Sequence, residues 1–402
     1  MNFVPQNLVY VYYNGSSAKE LVGRLLLKNR QIFFEYDNKF IQQGLELSPF
    51  KVPLRSGVIS STDNTFEGLL GLFNDSLPDG WGRLLLDRKL MALELNPGSL
   101  SPLDRVCFVG SYGMGALSYE PENHSSFKAL VTDLDEIYNE VQNTLEQKDD
   151  QYVDDLLVLS GSSCGARPKV LLKIDNEDWL IKFRSSLDPK DISAIEYAYH
   201  LMAMDAGLKL PKAKLFPSRY GLGFFGVKRF DRNNSENIHM HTIAGLLHAD
   251  HRYPSLDYEA VMKATLYLTR DVRQCEMQFK NAVFNVLSHN RDDHSKNFSF
   301  LMNAQGIWSV SQAYDLTFSF GPMGEHSSLI MGEGKNPTKE HLLKLSSIGN
   351  IKKDKALEII NQVLASVLKW KTFANKTGVS KTQTKNIGDA LDSVKKIGMF
   401  ST

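Results

Sequence analysis

Cysteine is scarce in this chain. Cys107, Cys164 and Cys275 stand far apart, are odd in number and form no Cys-x-x-Cys pair. That excludes a disulfide framework and a thiolate zinc site and suits a reducing, cytoplasmic setting. Long hydrophobic runs are missing too: no stretch reaches the ~18 apolar residues that a membrane-spanning helix needs. The opening "MNFVPQNLVYVYYNG" has no basic segment followed by a long apolar core and a small-residue cleavage site, which argues against a signal peptide. Neither sign of charge is in excess, Lys plus Arg and Asp plus Glu both being 46. No whole-molecule field therefore draws the chain to nucleic acid or an anionic membrane, and direct DNA binding gains no support. The pattern G-x-x-x-x-G-K-[ST] is absent, which excludes a Walker A loop.

What is present is ordinary globular composition, 42% apolar and 23% charged over 402 residues. That length predicts two or three domains or lobes. "LVYVYYNG" and "RQIFFEYD" alternate like strands between turn residues, so the first segment reads as a small β sheet. "LPDGWGRLLLDRKLMALELNPG" is a turn followed by a helix. Leu130, Leu134, Ile137, Val141 and Leu145 recur at helical steps. "KVLLKID" and "DWLIKFRS" read as two strands, and a helix follows from about 191 to Gly207, a plausible C-cap. "GFFGVKRFDR" is a further strand. From Leu256 onward the pattern is helical, interrupted by "NFSFLMN" and "GIWSVSQ", and the polar tail is expected to be a solvated last helix. The expected segments are 1–125 (β-rich), 126–255 (mixed α/β) and 256–402 (helical).

The densest polar cluster is "SHNRDDHSKNFSFLMN". Asp292 and Asn297 have the spacing of the kinase catalytic loop R-D-x-x-x-x-N, where the Asp takes the substrate hydroxyl proton and the Asn coordinates magnesium. Asn290 replaces the usual His. Asp315 follows a short strand pair, where a second oxygen ligand for a hard cation is expected. Lys182 lies on a strand and Glu196 on the next helix, the order of the phosphate-pairing lysine and its ion-pair partner. "GSSCGARPKV" offers a flexible loop followed by Arg167 and Lys169, able to approach nucleotide phosphates. Each piece has a plainer reading: a solvated turn, an edge-strand lysine, a surface helix acid, a surface loop. A zinc site of His289, Asp293 and His294 is a further alternative, although it lacks the helical H-x-x-x-H spacing. The order of the pieces favours a kinase.

Together, "LPDGWGRLLLDR", "GSYGMGALSYEP", "LSGSSCGARPKV", "VKRFDR", "HNRDDHSKNFSF" and "AYDLTFS" resemble the HipA toxins, serine/threonine protein kinases of bacterial type II toxin–antitoxin systems. The resemblance runs from about residue 9 to beyond residue 320. It implies an α+β, bilobal protein-kinase-like fold with an N-terminal β-rich subdomain, a mixed N-lobe and a helical C-lobe, with ATP between the lobes. It implies Asp292 as catalytic base and Asn297 and Asp315 as Mg²⁺ ligands. Lys182 would hold phosphates; Val227, Lys228 and Phe230 would form the hinge; Ser162, Gly165, Arg167 and Lys169 would belong to the phosphate loop. His294 and Lys296 would support the nucleotide or substrate side. Autophosphorylation is expected at Ser162, or at Ser163 as the alternative. Cys164 stands where a second Gly is common, and Lys228 where some relatives are acidic. The implied partners are a HipB-like helix-turn-helix antitoxin, with DNA reached only through it, and a protein substrate such as an aminoacyl-tRNA synthetase, the glutamyl enzyme first. The competing readings are an inactive kinase-like scaffold that binds an antitoxin and a kinase for a small molecule or lipid.

Overall fold

Strand alternation at the start of the chain is realised as a five-stranded antiparallel sheet. Its strands are β1 (Leu8–Tyr13), β2 (Glu20–Lys28), β3 (Gln31–Tyr36), β4 (Val58–Ser60) and β5 (Leu117–Glu120), in the order β4-β3-β2-β1-β5. Val9, Val11, Ile32, Phe34 and Tyr36 all point to the covered side, as the two-residue period requires. The tight turn between β2 and β3 places Asn29 and Arg30 at positive φ, the geometry that matches strand twist. This computed structural model describes residues 4–16, 18–61, 63–123, 133–146, 153–162, 165–233, 236–253 and 256–394. The chain forms two compact units: Met1–Asp188 with Lys228–His248 and Leu301–Ile307, and Pro189–Val227 with Ala249–Phe300 and Trp308–Thr402.

Unit 1 adds helices to the sheet. The Pro102–Val109 helix opens on a capping box in which Ser101 and Asp104 satisfy each other's backbone. The predicted amphipathic helix is Leu134–Leu145, with Ile137 and Val141 buried; Leu130 lies outside the described residues. β6 (Lys169–Ile174) and β7 (Glu177–Lys182) form a hairpin that pairs Lys169 with Lys182. A buried polar joint ties two distant stretches of this unit. Asp75 accepts from Thr242 N–H (2.7 Å) and Thr242 Oγ1 (2.6 Å) and lies 2.5 Å from His241 Nδ1, while His241 Nε2 meets Ser48 Oγ at 3.0 Å. These are the residue types of a hydrolytic triad, but Ser48 and His241 are fully buried, so the set serves as a structural joint. Beside it Gly71 and Gly245 bring their backbones together: a Cβ on Gly71 would lie 2.0 Å from the Gly245 carbonyl oxygen.

Unit 2 is mostly helical. The Ile192–Asp205 helix buries Ile195, Ala198, Tyr199 and Met202 and ends before Gly207 at φ +77°, as its sequence predicts. β8 (Ala213–Phe216) and β9 (Phe224–Lys228) form an antiparallel hairpin. The Val272–Leu287 helix starts on Asp271, whose carboxylate accepts from Arg273 N–H, and sinks Phe279, Val283, Phe284 and Leu287 into the core. Each such side chain contributes about 1.5–3 kcal/mol by leaving water. The expected last helix exists over Lys381–Val394, but it is not wholly solvated. Ile387 and Leu391 are buried, and Trp370 Nε1 donates to the Thr384 carbonyl at 3.0 Å. Among the described residues no helix is long and apolar enough to cross a membrane.

Candidate functional site

In unit 2 the polar cluster occupies the turn between the Val272–Leu287 helix and the Ser299–Met302 strand. A chain of side chains fixes that turn. Asn290 Nδ2 donates to Asn285 Oδ1 (2.9 Å), Asn285 Nδ2 to Tyr258 Oη (2.9 Å), and Tyr258 Oη to Asp293 Oδ2 (2.8 Å). Asp293 also accepts from Ser327 N–H (2.9 Å) and Ser328 N–H (3.3 Å), and its Oδ2 lies 2.7 Å from His326 Nδ1. Asp293 is fully buried, and both of its oxygens are engaged. Its neighbour Asp292 faces solvent.

Asn297 Nδ2 donates to the Asp292 carbonyl at 2.6 Å, so the two ends of the R-D-x-x-x-x-N loop are fastened together. With its amide nitrogen committed there, Asn297 has its side-chain oxygen as the end suited to a cation. Tyr314 Oη donates to the Lys296 carbonyl at 2.5 Å, which ties the residue before Asp315 to the same loop. Asp315 adopts φ +53°, a left-handed conformation that a non-glycine residue rarely holds, and strain of this kind gathers at functional turns. Two hard oxygen donors from Asn297 and Asp315 suit Mg²⁺, which takes the rest of its shell from water and phosphate. No cluster of three or more His, Cys, Asp or Glu that could hold a metal occurs among the described residues. The zinc alternative meets an Asp293 whose two oxygens are already engaged by hydrogen bonds and a His289 stacked on Phe318 with 5.3 Å between ring centroids. His294 is half-buried with its ring 5.7 Å from that of His251, and Lys296 is buried.

In unit 1 the other motif stretches converge on the loop before β6. Gly165 donates its N–H to the Asp79 side chain and accepts from Trp81 N–H at 3.2 Å, joining "LPDGW" to "GARPK". Ser162 is fully buried, and its Oγ accepts from Met114 N–H at 2.6 Å. The 113–115 turn that supplies this N–H is clasped from "VKRFDR". Asp231 accepts from Gly115 N–H (2.8 Å), Arg229 (2.6 and 2.9 Å) and Arg232 (2.7 Å), and Arg232 donates to the Gly113 and Gly115 carbonyls at 2.9 Å. Burial alone would raise the Asp231 pKa, but the two guanidiniums and the Gly115 N–H outweigh it and hold the carboxyl down at about 2.

The remaining candidates are placed as follows. Arg167 pairs with Asp188 at 3.0 Å, Lys228 pairs with Glu177 at 3.1 Å, and Lys169 is buried. Lys182 ends β7, half-buried; Val227 and Phe230 are half-buried; Glu196 is buried on the Ile192–Asp205 helix of unit 2. Ser163 and Cys164 lie outside the described residues. Cys107 and Cys275 are free thiols whose pKa values burial pushes up to about 12 and about 11, so neither suits a nucleophile. Sequence reasoning missed the partners of these motifs: Tyr258 and His326 around Asp293, and the 113–115 turn around Asp231. The only signal was that polar residues stood in otherwise apolar or glycine-rich stretches.

Two family models match the chain, the HipA N-terminal domain over residues 10–120 and the HipA-like C-terminal domain over residues 161–371. No curated protein matches it. Among solved structures, the Shewanella oneidensis MR-1 HipA of the toxin–antitoxin complex with HipB and operator DNA superposes with a TM-score of 0.71 at 15% identity, covering 97% of this chain and 96% of that one. The two chains thus share one α+β fold. The Helicobacter pylori proinflammatory kinase CtkA reaches a TM-score of 0.39 at 16% identity over 58% of this chain and 89% of its own, too low a likeness to carry an argument.

Proposed function

Since the chain belongs to the HipA family, we propose that it is an ATP- and Mg²⁺-dependent serine/threonine protein kinase acting as the toxin of a toxin–antitoxin pair. The observation that carries this reading is the division of the adjacent aspartates: Asp293 is buried and saturated, while Asp292 is exposed with its backbone pinned by Asn297. A carboxylate held this way is free to accept a proton. Asp292 takes the proton of a serine or threonine hydroxyl as its oxygen bonds to the γ-phosphorus, and the bond to the β-phosphate oxygen breaks to release ADP. Asn297 and Asp315 would hold Mg²⁺, which would supply neutralisation of phosphate charge. Lys182 serves the α- and β-phosphates, Glu196 takes the role of the motif's helix acid, and Val227, Lys228 and Phe230 back the adenine. Gly165, Arg167 and Lys169 serve the phosphate loop, with His294 and Lys296 as supports. Arg167 reaches phosphate only by exchanging it for Asp188.

The protein substrate is a translation factor, an aminoacyl-tRNA synthetase and first the glutamyl enzyme, which places the activity in the cytoplasm. A HipB-like antitoxin is the partner, as HipB is for the Shewanella HipA, and DNA is reached through it. Autophosphorylation at Ser162 silences the enzyme: the added charge of about −1.5 to −2 cannot stay in a buried position. The test is a γ-labelled ATP assay on cell lysate with wild-type and Asp292→Asn protein. A labelled band with the wild type alone is expected; equal labelling by both sinks the assignment.

A further inference from the structure

In unit 2, residues 319–327 form a loop whose two ends are fastened to the catalytic loop on either side of Asn290. Ser319 N–H donates to the His289 carbonyl at 3.1 Å, and Ser327 N–H and Oγ donate to the Arg291 carbonyl, both at 3.0 Å. Arg291 also holds the loop by its side chain, with Nη1 donating to the Gly324 carbonyl and Nη2 to that of Lys335 at 3.1 Å. The turn is tight: a Cβ on Gly321, at φ +70°, would lie 1.9 Å from the Glu325 carbonyl oxygen and 2.7 Å from Arg291 Cβ. Met323 takes φ +54° at the tip, a left-handed conformation that a non-glycine residue seldom holds. Phe320 is 64% exposed and Met323 97% exposed, and Pro322 between them is open to solvent too. The aromatic side is propped from below. Phe320 meets Phe318 edge-on at 4.7 Å and His289 at 5.9 Å between ring centroids, and His289 stacks on Phe318.

Single exposed apolar side chains are ordinary, but a group of them held in water by a strained, hydrogen-bonded turn marks a contact surface. Its place says what covers it. Asp292 lies between Arg291 and Asp293, and both of these hold Ser327, since Asp293 Oδ1 accepts from the same N–H at 2.9 Å. A polypeptide that brings a hydroxyl to Asp292 therefore runs beside Phe320 and Met323 within one to three residues, at about 3.3 Å for each. Charge argues against a membrane as the occupant. The exposed charged residues between 319 and 335 are Glu325 and Lys335, one of each sign, with no cationic rim for anionic headgroups.

We propose that Phe320 and Met323 select the protein substrate by binding a large apolar side chain that lies one to three residues from the phosphorylated serine or threonine. This rests on the kinase reading and names what that site accepts. A library of serine-centred peptides, varied one flanking position at a time, tests it with γ-labelled ATP and the full chain. At one position leucine, methionine or phenylalanine should raise kcat/KM about tenfold over serine or aspartate. Phe320→Ser and Met323→Ser should each raise KM for the apolar peptides several-fold, about threefold or more, and together erase the preference, with KM for ATP unmoved. Met323→Leu should keep the preference, and thermal melts check that all variants are folded. Transfer that depends on Asp292 but shows no apolar preference overturns the inference and leaves the kinase reading standing. So does a preference that survives both serine changes. A wild type that labels lysate proteins but none of the peptides overturns the inference alone, and one that labels neither overturns both. Lipid vesicles, neutral or anionic, that sediment with the wild type but not with Met323→Ser assign the surface to a membrane and overturn it as well.

Discussion

Arg229–Asp231 in unit 1 and Arg291–Asp293 in unit 2 are built from the same residue types and used in opposite ways. Asp231 is a fully buried hub that neutralises Arg229 and Arg232 and holds the 113–115 turn by its Gly115 N–H. In the second stretch the burden falls on Asp293 alone, whose oxygens meet Tyr258, His326, Ser327 and Ser328. That leaves Asp292 outside the network. A carboxylate whose lone pairs are spoken for belongs to the architecture, and the one spared beside it can meet a substrate. Arg291 keeps to the architectural side, with Nη2 donating to the Lys335 carbonyl at 3.1 Å and Nη1 to that of Gly324.

The sharpest way to break this contrast is to make the same change on both sides. Asp292→Asn should lower phosphoryl transfer by about 10²–10⁴-fold, the range of a lost general base, while the urea midpoint stays that of the parent. Asp231→Ala should do the reverse to stability. Removing the carboxylate leaves two buried guanidiniums without their counter-charge, at a cost of about 3–5 kcal/mol on urea denaturation. If Asp231→Ala unfolds at the parent midpoint, the hub is not what organises the 113–115 turn.

Acid offers a milder probe. Asp231 has a folded pKa of about 2, below the unfolded carboxylate value near 3.9. Its contribution is therefore present above about pH 4 and lost as pH falls through about 2. The histidines act earlier. Burial lowers His239 in unit 1 and His200 in unit 2 to about 4. The unfolded chain takes up those protons from about pH 6.5 downward while the folded chain does not. Stability should decline between about pH 6.5 and 4, by about 1–3 kcal/mol for each histidine. Denaturation at stepped pH checks this, and His200→Phe should flatten the part of the slope that comes from unit 2, where the ring packs beside Tyr197 and Phe225.

How much of this was legible in the sequence follows from how far apart the partners are. Strands β1, β3, β6, β7 and β9 and the 192–205 helix declare themselves by period, because local burial sets them, whereas the short β4, β5 and β8 carry too few residues to show one. The Asp292 to Asn297 spacing was readable because both residues lie on one turn. That Asp293 is the buried member was not, since Tyr258 precedes it by 35 residues and His326 follows it by 33. The joint of Asp231 with Gly115 spans 116 residues and was invisible for the same reason. The last helix was read as solvated because its polar surface dominates the composition, whereas two apolar residues are enough to dock it.

The smallest effect distinguishes a loop held shut from one that is merely nearby. Ser162 accepts a short hydrogen bond from Met114 N–H in the 113–115 clasp. Ser162→Ala should therefore cost only about 1 kcal/mol, the usual net worth of one such bond. Ser162→Asp puts a charge into the same buried position, and the cost should exceed that of the alanine change. If the two variants denature together, the segment leaves its buried position freely, and the burial of Ser162 does not restrain its phosphorylation. If aspartate is clearly the more damaging, phosphorylation at Ser162 must first break the Met114 contact.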